Sequence, residues 1–275
     1  MVPLQQLIDF LREFAPLDLA ESWDNVGLLI GDPASEATSV LTCLTLTPNV
    51  AEEAIARQAQ LIVTHHPVLF RPVKQLTTMT TEGRMLHSLI RAGIAVYSPH
   101  TSYDSAADGI NQQLARLFDL SDIHPLRSHP SESQPTENVA DDGVDQAVGS
   151  GRWGRLLSPI SLRELIEKTK TVLGISQLQY VGDLERTVTK LAIACGAAAE
   201  FLTDAARYGC EVLLTGEARF HACLEAEAAN IAMILPGHYA TERPAMSQLA
   251  TILKSRFPEL TAQASVSESD PVKFG

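Results

Sequence analysis

Leu4, Leu7, Ile8, Leu11 and Phe14 recur at intervals of three and four residues, with Pro3 before them and Pro16 behind. That stripe predicts one amphipathic helix with proline at its boundaries. The pattern then shortens. "VGLLIGD" and "SVLTCLTL" are brief apolar runs between turn residues and predict strands. "PNVAEEAIARQA" reads as helix, "QLIVTHH" as strand, "EGRMLHSLIRAG" as helix, "IAVYSPH" as strand and "SAADGINQQLARLFDL" as helix. Alternation of this kind predicts an α/β layer architecture with a parallel or mixed sheet.

The alternation lapses from Arg127 to Ser150, a stretch rich in Ser, Pro, Gly and acids with almost no core formers. Such a segment cannot bury a core and reads as a linker or loop. A second α/β block follows. Its strands are "LQYVGD", "VTKLAIAC", "CEVLLTG" and "IAMILPGHY"; its helices are "ISLRELIEKTKTVLG", "AAAEFLTDAARYG", "FHACLEAEAAN" and "ATERPAMSQLATILKSRF". The expected organisation is therefore a first α/β lobe over residues 1–126, an acidic loop over 127–150, and a second α/β lobe over 151–275. No repeat of solenoid period interrupts this plan.

Composition narrows the function classes. The chain has 275 residues, 45% of them hydrophobic and 20% charged, enough to sustain a buried core. Its formal charge is −12, a sign that repels phosphate backbones and argues against nucleic acid as a partner while leaving divalent cations welcome. The N-terminal stretch carries Asp9, Glu13 and Asp18 and lacks the basic and apolar regions of a signal peptide. No apolar run has the length needed to span a bilayer. Cys43, Cys195, Cys210 and Cys223 show no C-x-x-C spacing and read as reduced core thiols. Together these features lead us to expect a cytoplasmic protein.

Candidate chemistry lies at strand ends. "LIVTHHP" places His65 and His66 where Pro67 stops sheet pairing, so the chain can turn both imidazoles into one cleft. The competing reading is an exposed pair at a sheet edge. "IAVYSPHTSYD" places His100 after a strand and Asp104 four residues on; Asp104 also suits a helix cap. "IAMILPGHYATER" repeats the format with His238 and Glu242, although a glutamate is also favoured at a helix N-terminus for its own sake. Sites in open α/β sheets gather at the carboxyl ends of strands. Four imidazoles and two carboxylates exceed one tetrahedral zinc and suit a two-metal site. His-Glu-x-x-His is absent.

"LLTGEARFH" places Glu217 and His221 four apart after another strand, as supports behind the ligands, as acid/base groups, or simply as the start of a helix. "AIACGAAAEFL" is a strand–glycine–helix turn that could hold a phosphate, or merely pack. His87, His124 and His129 have no comparable context and read as surface or structural residues.

The stretches "ESWDNVGLLIGD", "VTHHP", "SPHTSYD", "GRWGRL", "TGEARFH" and "PGHYATER" together resemble the Nif-three-like family, whose members often carry the label GTP cyclohydrolase 1 type 2 homologue. The resemblance runs from about Leu4 to about Phe257, apart from the acidic segment. It implies a two-lobed α/β fold with mixed sheets and a dinuclear metal site in the cleft between lobes. It also implies a hexameric ring built as a trimer of dimers. Carried over residue by residue, the implied ligands are His65, His66, His100, Asp104, His238 and Glu242, for two divalent ions per chain. Imidazole and carboxylate together suit zinc, iron, manganese, cobalt or nickel. Thr45 stands where family members often carry an acid. Trp23, Asp24 and Asn25 match the family without an assigned role. No inserted domain is expected at residues 127–150.

Three functions fit these residues: a metal-dependent hydrolase acting on a nucleotide or phosphoester, with Glu217 and His221 as proton-handling groups; a non-enzymatic metal buffer, chaperone or insertase; and a regulatory scaffold in which the metal is structural.

Overall fold

A computed structural model describes residues 1–129 and 148–274. Most of the acidic segment, residues 130–147, lies outside the described residues. The chain divides into two compact units: Met1–Tyr103 together with Glu242–Gly275, and Asp104–Thr241.

The first unit is built on a five-stranded sheet in the order Thr261–Ala264, Ser39–Thr45, Leu61–His66, Ala95–Ser98 and Gly27–Ile30. The first four strands are parallel, and Gly27–Ile30 closes one edge antiparallel to Ala95–Ser98. Parallel strands covered on both faces read as unbroken apolar runs, as Leu61, Ile62 and Val63 do. On one face Leu41, Cys43, Ile62 and Val96 pack with Val50 and Ala54 of the helix Pro48–Ala56 and with Leu86 and Leu89 of the helix Thr81–Arg91. Each leucine buried there is worth about 1.5–3 kcal/mol. Thr47 and Thr80 cap these two helices by accepting from Val50 N and Gly83 N. The helix Leu4–Phe14 buries Leu4, Leu7, Ile8 and Leu11, the stripe its sequence predicts.

The second unit has a six-stranded mixed sheet in the order Gln179–Val181, Ala232–Leu235, Val212–Thr215, Thr187–Ala194, Arg152–Ser161 and Ser121–His124. Val212–Thr215 is parallel to both neighbours, and the remaining pairings are antiparallel. Ala192, Leu213 and Met233 meet Phe201, Leu202, Ala205 and Ala226 in its core. The helix Leu162–Leu173 starts on a capping box between Ser161 and Glu164 and ends at Gly174, whose φ of 66° suits glycine.

The flanks of the acidic segment are joined. Arg127–Ser128 pairs antiparallel with Gly149–Ser150. A Cβ on Gly149 would stand 2.1 Å from the Arg127 carbonyl oxygen, so only glycine fits there. Just beyond, Arg152 is fully buried and donates to Gln112 Oε1 at 2.7 Å and to the carbonyls of Gly149, Gly151 and Ala106 at 2.5, 2.7 and 2.8 Å. Burial pushes its guanidinium down to about 10, still charged at neutral pH.

This division differs from lobes of 1–126 and 151–275. Thr261–Ala264 pairs with Ser39–Thr45, which brings the C-terminal residues into the first unit. Ser121–His124 pairs with Arg152–Ser161, which brings residues 104–126 into the second. Sheet pairing, parallel in the first case and antiparallel in the second, joins strands remote in sequence, so a composition change at a loop does not locate the boundary. Both unit boundaries fall inside helices, His100–Ser105 and His238–Arg256. Among the described residues, no helix is long and apolar enough to cross a membrane.

Candidate metal centre

In the first unit, the strand Leu61–His66 delivers two imidazoles at its carboxyl end. Adjacent strand residues normally face opposite ways. Here, just before Pro67, the two rings lie with centroids 5.2 Å apart at 52°. His65 is buried, and its carbonyl accepts from Ser98 Oγ of the neighbouring strand at 2.7 Å. The His100 ring lies 5.1 Å from that of His65 and 5.9 Å from that of His66. Each of the three imidazoles offers a nitrogen within 4.8 Å of the others. Glu242 adds a carboxylate only 4% exposed, with Oε2 3.0 Å from His66 Nε2 and 3.8 Å from His65 Nε2.

Each of two rings is held at its other nitrogen. His66 Nδ1 lies 2.7 Å from Thr45 Oγ1. His100 Nδ1 lies 2.7 Å from Asp24 Oδ1. Asp24 also accepts from Asn25 N at 2.7 Å, from Thr101 N at 3.2 Å and from the Thr101 hydroxyl. Burial opposes the Asp24 charge, but the hydrogen bonds from His100 and Thr101 outweigh it and bring the carboxyl down to about 2. The Asp24 carboxylate can only accept, so it sets the proton of His100 on Nδ1, and a partner on one nitrogen of either ring aims the other at a ligand. His100 itself has φ 33°, a left-handed conformation uncommon outside glycine and a mark of functional sites.

The supports extend outward. Glu268 accepts from the amides of Leu44 and Thr45 at 2.9 and 3.3 Å and pairs with Arg243, the residue after Glu242. Arg243 Nη2 also donates to the Ser265 carbonyl at 2.8 Å. The C-terminal tail thus braces both Thr45 and the helix that carries Glu242.

In the second unit, Asp104 Oδ1 accepts from the Cys195 thiol at 3.2 Å. Asn111 donates to the Asp104 carbonyl at 3.1 Å and accepts from the Cys195 amide at 2.8 Å. His238 opens the helix His238–Arg256, and its Nδ1 lies 3.0 Å from Glu217 Oε1. Glu217 therefore meets a candidate ligand directly. It also lines an open pocket of about 500 Å³ with Ala197, Glu200 and Arg219. His221 is exposed on the helix Phe220–Ala228, its ring 6.1 Å from that of Phe220. In the glycine turn, the amides of Gly196 and Ala198 donate to Thr241 and Thr215 hydroxyls at 3.1 Å each, which favours packing over phosphate binding.

Burial pushes the Cys43 and Cys210 thiols up to about 12, as expected of core thiols. Sequence reasoning left Asp24 without a role, described Thr45 only as a missing acid, and did not connect Cys195 to Asp104. Only a side-chain inventory across remote segments would have linked them.

Clustered imidazoles and a buried carboxylate, deprotonatable N and O donors at parallel strand ends, fit a divalent metal. The molecule is an α/β protein with a histidine–glutamate group able to hold such an ion. The chain belongs to the Duf34/NIF3 (NGG1p interacting factor 3) family, whose model matches residues 2–271. It is 32% identical over 272 residues to a protein of Clostridium perfringens called GTP cyclohydrolase 1 type 2 homolog, covering 98% of this chain and 99% of that one. It is 38% identical over 232 residues to the Schizosaccharomyces pombe protein NIF3 homolog, covering 82% and 79%. A Staphylococcus aureus crystal structure matches with a TM-score of 0.87 and 26% identity over 99% of both chains.

Proposed function

We propose that this protein is a metal-dependent hydrolase acting on a nucleotide or phosphoester. The observation that carries the reading is the cluster of His65, His66 and His100 with buried Glu242, two of its rings oriented by Asp24 and Thr45. In this reading Asp104 and His238 complete a six-residue ligand set for two divalent ions. When bound, such ions supply Lewis acidity toward water and a phosphoryl or ring oxygen. The chain's own residues do the rest. Asp24, Thr45 and Glu217 hold the rings of His100, His66 and His238, and the Cys195 thiol fixes one oxygen of Asp104. His221 is the remaining proton-handling candidate, with Glu217 divided between orienting His238 and acid/base work. A nucleotide substrate is supported by the name of the Clostridium relative, GTP cyclohydrolase 1 type 2 homolog. The same reading includes a hexameric ring in the cytoplasm.

The test is elemental analysis of protein purified without a metal-affinity tag, followed by a panel of nucleotides and phosphoesters with and without chelator. The expected result is retained metal and hydrolysis that chelator abolishes. Retained metal with no turnover across the panel would instead make this a metal-binding protein without hydrolase activity.

A further inference from the structure

Two large aromatic side chains beside the imidazole cluster remain in solvent. Trp23 is 59% exposed and Phe70 is 46% exposed. Their rings meet edge to face, with centroids 6.0 Å apart at 72°. Both adjoin His100: its ring is 6.2 Å from that of Trp23 and 6.4 Å from that of Phe70.

Local structure holds this corner in place. The Asn25 side-chain amide donates to the Leu69 carbonyl at 3.0 Å, tying the Trp23 segment to the loop that carries Phe70. Leu69 has φ 56°, a left-handed backbone that a leucine rarely adopts. Its side chain packs against the core cluster, so Leu69 turns inward and Phe70 outward. Asn25 also donates its own amide to Asp24, the ring partner of His100. The aromatic corner and the imidazole are thus held by one short run, Trp23–Asp24–Asn25.

We propose that Trp23 and Phe70 form the recognition corner for a planar heteroaromatic ring, such as a nucleobase, whose polar or anionic group is held at the imidazole cluster. The inference rests on the proposed metal centre and adds the class of ring its substrate carries. A flat ring stacks on one aromatic face and meets the edge of the other, and both geometries are favourable for π systems. A group anchored at His100 lies about one ring's width from both surfaces. Stacking needs no base-specific hydrogen bonds, so the corner selects for a ring and tolerates its substituents.

Titration calorimetry of the full, metal-loaded chain tests this with guanosine 5′-monophosphate against ribose 5-phosphate, which keeps the phosphate and lacks the ring. The wild type is expected to bind the nucleotide about tenfold tighter, the scale of one stacked base. Trp23→Ala and Phe70→Ala should each reduce that preference, and the double variant should abolish it. Ribose 5-phosphate affinity and metal content should stay as they were. Trp23→Phe should keep most of the preference. Asn25→Ala should weaken it without removing either ring. Equal binding of the two probes by the wild type, failure of the nucleotide to bind, or a preference that survives the double variant overturns the proposal. So does a change in solution mass in Trp23→Ala, which would make the corner a contact between copies of the chain. A wild type with chelator-sensitive turnover but no ring preference would count against the corner alone. Ring preference without turnover would count against the hydrolase reading alone.

Discussion

His100 Nδ1 and Asp24 Oδ1 lie 2.7 Å apart across 76 residues of chain. The Asp24 side chain is wholly inside and that of His100 largely so, with exposures of 0% and 16%. A buried carboxylate on one imidazole nitrogen is the arrangement that raises ligand basicity and fixes ring orientation in metal sites.

Asp24→Asn keeps the side chain's shape and removes its charge. Metal affinity is expected to fall about 10–100-fold, the usual scale for a lost partner of a ligating histidine. Competition against a chromogenic chelator reads it. Unchanged affinity would reduce Asp24 to an anchor for the Thr101 backbone.

Glu242→Gln is isosteric but neutral. The carboxylate sits 3.0 Å from one imidazole nitrogen and 3.8 Å from another, so it is placed to serve both sides of a cluster. Bound metal is expected to drop well below two ions per chain with the circular dichroism spectrum preserved. Wild-type stoichiometry in the variant would remove Glu242 from any bridging role.

Glu217→Ala and His221→Ala should separate two roles. Glu217 touches His238, so its loss should weaken metal retention. His221 lies away on the helix Phe220–Ala228, so its loss should leave metal content intact. If His221 handles a proton, turnover on the best substrate falls about 100-fold. No change in either quantity would make His221 an ordinary surface residue.

Glu53 gives a pH dependence. Burial opposes its charge, yet hydrogen bonds from Ser265 Oγ at 2.5 Å and the amides of Val266 and Ser267 hold its carboxyl below the ordinary range. Arg57 Nε adds an ion pair at 2.9 Å. A depressed folded-state pKa stabilises the fold above the unfolded-state value, and that contribution disappears as pH falls through the folded-state value. Glu53→Gln is expected to lower stability at pH 7 by about 2 kcal/mol. Denaturant melts from pH 7 down should show the two proteins converging on acidification. A constant gap at every pH would mean that packing, and not charge, accounts for the loss.

Removing residues 131–146 should change stability by no more than about 0.5 kcal/mol, because closure entropy depends weakly on loop length. The ladder between Arg127–Ser128 and Gly149–Ser150 already joins the flanks. Gly149→Ala, by contrast, sets a Cβ against the Arg127 carbonyl and is expected to destabilise. Insoluble protein after trimming would show that the segment packs.

Strand ends were legible because an apolar run that stops in His-His-Pro declares both its burial and its terminus. The strand Leu61–His66 and the helix Leu4–Phe14 follow from local pattern. Element ends show the limit: "IAMILPGHY" reads as one strand with His238 just past it, and the strand stops earlier, at Leu235, while the helix that carries His238 and Glu242 begins at His238 itself. Contacts between remote segments were not legible. Thr45 against His66 and Cys195 against Asp104 depend on which strands and turns become neighbours, which no local period encodes. The unit boundary escaped for the same reason, since it rests on the pairing of Thr261–Ala264 with Ser39–Thr45.

That pairing also orders events during synthesis. Residues 104–241 leave the ribosome as a complete unit while Ser39–Thr45 still lacks the partner that covers its edge. Unpaired strand edges are templates for intermolecular association, and nascent chains fold unit by unit as they emerge. A chain stalled before Thr261 would expose the backbone of Val40, Leu41 and Thr42 and would lack Ser265 and Glu268, the tail's anchors on Glu53 and Arg243. Thr261–Ala264 and the residues just after it thus act as a late seal on the first unit, closing its sheet edge only after the whole second unit has been made.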